Sequence, residues 1–189
     1  MAAIFLGYDR VTRGNWIGRL GSEGYWMLDN DRNVVSRFPP WVSGVTFSNP
    51  TASDTPFIAD PSDLYPQLPG GGRTGAARGR IGAGWTFTIS ADDDAWRRLT
   101  YYLVPHIPSQ QMNFTIRDGE NNALFDINPD FYYGDTGLHI LLAIRGETRI
   151  QHTTSSSTNR NLWAMFFDPY IPHHVGPGPS QGFVGHGVF

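Results

Sequence analysis

The sequence predicts an all-β protein folded as an antiparallel sandwich, and three observations predict it. Short runs alternate apolar and polar residues with a period of two, as in WTFTIS (Trp85–Ser90) and MNFTIR (Met112–Arg117). Turn pairs such as Asp118-Gly119, Asn128-Pro129 and Gly146-Glu147 punctuate them at short spacing. No segment carries a sustained helical period. The one helical candidate, Asp60–Leu68, is broken by Pro66 and allows a single turn at most.

From the N-terminus, Gly7–Trp26 (GYDRVTRGNWIGRLGSEGYW) is poor in helix formers and sets Gly14, Gly18, Gly21 and Gly24 among Asn15, Trp16, Tyr25 and Trp26. It reads as the first turns of a β-fold, where glycine permits positive φ and close backbone approach. A sugar-handling role for its tryptophans is the competing reading. Val42–Phe47 alternates and predicts a strand. Ser48–Arg80 is mostly loop and ends in PGGGRTGAARGR (Pro69–Arg80), a connection long enough to suggest a binding or assembly task. Trp85–Ser90 puts Trp85, Phe87 and Ile89 on one side, and ADDDAW (Ala91–Trp96) follows as a solvated acidic turn. Leu99–Val104 is aromatic and β-rich, and Met112, Phe114 and Ile116 share a face. DGENN (Asp118–Asn122) predicts a hairpin turn. Gly137–Arg145, Thr148–Gln151 and Leu162–Phe167 complete the series. After Asp168 the periodicity stops, which divides the chain into a sandwich over 1–168 and a proline- and glycine-rich arm over 169–189.

Composition narrows the function classes. The 189 residues suit one domain with a real core. Charged residues make up 16% against a usual figure of about 25%, a bias expected of a surface partly covered by partners. The net charge of −3 speaks against nucleic-acid binding. All 14 cationic side chains are arginines, which suit interfaces better than lysine. With no cysteine, disulfides, thiol catalysis and cysteine-ligated zinc are excluded. MAAIFLGYDR lacks the pattern of a secretory signal, and no stretch reaches the apolar length of a membrane helix, so synthesis in the cytoplasm and no membrane partner are expected.

Chemical motifs are weak. GPSQG (Gly178–Gly182) matches a nucleophile elbow in letters only, since proline and glycine surround it where a strand and helix are needed. DINPD (Asp126–Asp130) has calcium-loop spacing, but Phe131 stands where the turn glycine belongs and Gly137 where the bidentate acid should be. His173, His174 and His186 are too few for a dedicated metal site. PGGGRTGAARGR lacks the G-K-[ST] of a phosphate loop and reads as a cationic contact loop presenting Arg73 and Arg78. No catalytic residues, metal or cofactor are assigned, and a non-enzyme is expected.

Asp9, Thr12, Gly14, Asn15, Trp16, Gly18, Gly21, Gly24 and Tyr25 match the opening D-x-x-T-x-G-N-W-x-G-x-Y-G-x-x-G-Y of a β-sandwich module found in bacterial secreted and glycoside-hydrolase-associated proteins, which this chain resembles. Leu20 departs from its usual tyrosine. RIGAGW (Arg80–Trp85) and LWAMFFDP (Leu162–Pro169) are similar to later segments of that module. The resemblance implies a galactose-binding-like jelly roll in which the opening motif packs across the sheets, with Trp16 and Tyr25 as buried anchors. Two functions remain. The first is a structural and interaction protein of a large, oligomeric assembly, most concretely a bacteriophage virion component such as a head decoration protein or tail or fibre adaptor. Phe183, Val188 and Phe189 of the arm, with Arg73 and Arg78, would be its contacts. The second is a carbohydrate-binding module or adhesin, with Trp26, Trp41, Tyr132 and Tyr133 as candidate platforms.

Overall fold

The computed structural model describes residues 3–48, 53–56, 65–74, 76–80, 86–103, 113–129, 137–152 and 160–171. Its strands are β1 (Ala3–Asp9), β2 (Gly24–Leu28), β3 (Val34–Arg37), β4 (Val42–Ser48), β5 (Ser53–Pro56), β6 (Ala76–Arg80), β7 (Thr86–Ala91), β8 (Arg97–Leu103), β9 (Phe114–Asp118), β10 (Ala123–Ile127), β11 (Leu138–Ile144), β12 (Thr148–His152) and β13 (Arg160–Pro169). Among the described residues there is no helix. Of the proposed single turn over 60–68, residues 65–68 are not helical and Gln67 bridges Arg73, while 60–64 lie outside the described residues.

All pairings are antiparallel, and two sheets stack as the expected jelly-roll sandwich. The first runs β1-β11-β8-β13-β2-β3, with β6 paired to β13 and β5 to β6; the second runs β10-β9-β12-β7-β4. Alternation sends Phe87 and Ile89 of β7, and Phe114 and Ile116 of β9, into the space between the sheets, where they meet Leu99, Tyr101, Leu103, Ile140 and Leu142. The Asp118–Asn122 turn joins β9 to β10, with Asn121 in the left-handed region at φ 72°. The last strand reaches Pro169, paired with Arg97, and Tyr170 packs against Trp96.

The central strands of the first sheet are buried on both faces, as the nearly continuous apolar run of β11 (LHILLAI) and the burial of Leu99–Leu103 in β8 show. Its outer face carries a second apolar layer of Met27, Tyr102, Trp163, Ala164 and Phe166, roofed by Trp16 with help from Leu20 and Leu68. The roof is a strap formed by residues 10–21, clasped to the segment 65–74. The glycine-rich opening thus covers a sheet.

Candidate functional site

The strap is held by residues of the opening motif. Asp9 accepts hydrogen bonds from the amides of Val11 (2.8 Å) and Thr12 (3.0 Å). Burial alone would raise its pKa, but the bonds from Thr12 and Val11 outweigh that and hold it below the usual value. Trp16 is 5% exposed and donates Nε1–H to the carbonyl of Gln67 at 2.7 Å. The Asn15 side chain accepts from Arg73, whose guanidinium also donates to the Tyr65 carbonyl at 2.6 Å. At the strap's end, buried Asp168 accepts from the amides of Gly21 (3.1 Å) and Ser22 (2.8 Å) and from Ser22 Oγ (2.8 Å), and it pairs with Arg98 at 3.1 Å. Gly21 sits at φ +70°, and a Cβ on Gly24 would collide with the Arg37 carbonyl. The motif is architecture, as expected, and Trp16 offers no sugar platform.

Two sequence-based expectations are corrected here. Trp26 and Trp41 are 2% and 6% exposed. Both join the core between the sheets, with Trp26 against Phe47 and Trp41 edge-on to Phe167, so neither offers a face to a glycan. Arg73 is engaged within the fold rather than offered to a partner, because the strap and the 65–74 segment need its guanidinium. The backbone of Arg78 pairs with Leu162 and Asp54. Its side chain, together with Tyr132, Tyr133, Phe183, Val188 and Phe189, lies outside the described residues.

What the fold brings together instead lies at one end of the sandwich, where β8 begins and β13, β7 and β11 end. Glu23 accepts a hydrogen bond from Trp41 Nε1 at 2.8 Å and faces Arg97 at 3.7 Å. Arg97 lies over the Trp41 ring and bonds Asp93 at 2.7 Å. Beside them, half-buried Trp96 has the exposed Arg145 over its ring at 5.3 Å and Tyr170 at 6.3 Å. Two carboxylates beside a tryptophan invite comparison with glycosidase chemistry, which needs an acid with a raised pKa. Asp93 moves the other way: the Arg97 hydrogen bond holds its carboxyl low. The arrangement is an ion-pair network that ties β2, β4 and β8 together. Among the described residues, no group of three or more His, Cys, Asp or Glu side chains could hold a metal ion.

The outer face of the second sheet is polar. Its registers align Thr46, Thr88, Arg149 and Arg117 across four strands, and Ser48, Thr86, Gln151, Thr115 and Asp126 across five. Arg117 bonds Gln151 at 2.9 Å, and Arg149 pairs with Glu147 at 2.9 Å.

No family model matches the chain, and no curated protein sequence matches it significantly. Among solved structures, it is similar to a glycoside hydrolase family 43 arabinoxylan arabinofuranohydrolase from Bacillus subtilis, at 16% identity and TM-score 0.38 over 55% of this chain and 23% of that one. It is also similar to the enzymatically active domain of tailspike protein 4 of bacteriophage CBA120, at 17% identity and TM-score 0.39 over 68% and 20%. An exo-beta-1,3-galactanase from Phanerochaete chrysosporium is similar at 17% identity and TM-score 0.32 over 49% and 23%. The chain spans between a fifth and a quarter of the length of these proteins.

Proposed function

We propose that the chain is a non-enzymatic structural and interaction subunit of a large assembly, with a bacteriophage virion, as decoration protein or tail or fibre adaptor, as its setting. The observation that carries this reading is the distribution of apolar surface. Trp16, Trp26, Trp41 and Trp163 are consumed by the two apolar layers, whereas Ile4 and Phe5 are 37% and 39% exposed. These two neighbours lie within β1, an edge strand among the described residues. Val34 on the edge strand β3 and Ile171 just beyond β13 are 50% and 60% exposed. Apolar groups on strand edges suit contacts with protein rather than sugar. The locked carboxylates at the sandwich end support a role without chemistry.

The test is the solution mass by light scattering of the full chain, of a chain ending at Ile171, and of Phe5→Ser. An oligomer that dissociates in either variant supports assembly; a monomer throughout removes it. One specific feature favours glycan binding as a second reading: the half-buried Trp96 with Tyr170 and Arg145 beside it. A glycan-array signal lost in Trp96→Ala would move the weight there.

A further inference from the structure

His139 lies on the outer face of the first sheet, directly opposite Asp9 in the β1–β11 register. It is fully buried, its ring stacked on Tyr102 at 4.2 Å and 5.8 Å from Phe166. Its Nε2 is 2.6 Å from the carbonyl of Arg13, in the middle of the strap. A carbonyl only accepts, so Nε2 carries the proton and Nδ1 of the neutral ring is a bare acceptor. Nδ1 has no hydrogen-bond partner among the described residues.

We propose that His139 is a proton-operated latch: a second ring proton releases the strap of residues 10–21 from the outer face of the first sheet and uncovers the apolar layer beneath it.

A proton on Nδ1 creates a buried N–H and a cation together. The facing anion, Asp9, already accepts from Val11 and Thr12. Of the other titratable and charged groups among the described residues, Tyr102 lies against the ring and Arg10 and Arg13 belong to the strap. Arg98 and Asp168 stand further along the face, paired with each other. The Thr100 hydroxyl shares the outer face and is itself buried without a partner, but it makes no bond to the ring. Water is the remaining acceptor, and it reaches Nδ1 when the strap lifts. Burial pushes the His139 pKa down to about 4, against partial support from the Arg13 bond and Asp9. With an ordinary value near 6.5 in the lifted state, the ratio of closed to lifted strap falls up to about 300-fold from neutral pH to below pH 4.

The experiment is backbone hydrogen exchange on the full chain from pH 7 to pH 4, corrected for intrinsic rates, with peptides covering 10–21, β8 and β13. The strap is expected to be less protected than β8 and β13 at every pH, and its protection to fall by about 100-fold from pH 7 to pH 4. His139→Gln retains a donor for Arg13 and does not titrate, so its strap protection is expected to stay flat. Strap protection equal to that of the strands throughout, which means opening only by global unfolding, or an unchanged acid response in His139→Gln, overturns the latch. Should that variant not fold, the His139 ring is titrated by NMR in the wild-type protein. A ring titration that coincides with loss of strap protection supports the proposal, and one displaced from it overturns it.

Discussion

Replacing Trp16 with alanine removes the largest side chain between the strap and the sheet it covers. The ring is 5% exposed, with centroids 4.9 Å from Phe166 and 5.2 Å from Tyr25. A buried tryptophan hides about 150–250 Å². At about 25 cal/mol per Å² this is worth about 4–6 kcal/mol, an upper figure because the unfolded chain already hides part of it. Comparable large-to-small substitutions cost about 3–5 kcal/mol, and that is the expected loss. Trp16→Phe separates packing from hydrogen bonding: much of the ring contact remains, but the Gln67 carbonyl loses its donor, for a loss of about 1–2 kcal/mol. Urea denaturation followed by circular dichroism measures both. A loss below about 1 kcal/mol for Trp16→Ala would refute the view that the opening motif roofs the sheet.

Asp168→Asn leaves Arg98 without its anion and mismatches an acceptor cluster. Breaking a buried pair costs about 3–5 kcal/mol, reduced here to about 2–4 because Arg98 is one-third exposed; a change within 0.5 kcal/mol on the same urea curves would remove Asp168 as the strap's anchor. Gly24→Ala drives a methyl group into the Arg37 carbonyl and is expected to cost about 2 kcal/mol or more, seen as a lower Tm with lost β2–β3 cross-strand contacts by NMR; a neutral outcome contradicts the close approach. Stability is expected to fall with acid. As pH drops below 6.5 the unfolded state protonates His139 while the folded state resists down to about 4, which is worth about 3 kcal/mol. Asp9, held low in the fold, adds its own loss only as pH falls below 3.8. In His139→Gln the first part of this slope is expected to vanish from the pH dependence of unfolding.

The alternation of Phe87 with Ile89 and of Phe114 with Ile116, and the Asp118–Asn122 turn, were legible because pleat and turn geometry act between neighbours in the chain. The nearly continuous apolar run of β11 carried a further signal, that its strand is covered on both sides. Less was legible where pairing crosses the chain. Ala76–Arg80 reads as part of a cationic loop, yet it is a strand because Leu162 and Asn161 of β13 lie beside it. Glu23, Asp93 and Arg97 meet although some seventy residues separate the first from the other two, and ADDDAW by itself shows only a solvated turn.

By itself, then, the sequence determined the strand class and the main hairpin, and it favoured an architectural role for the opening glycines. Those follow from local backbone sterics and from the apolar content of single strands. Only the tertiary structure decided which aromatic faces are hidden, what Arg73 holds, and that His139 lies beneath the strap. A side chain's burial depends on what packs over it, and in an antiparallel sandwich the strands and loops that do so come from distant parts of the chain.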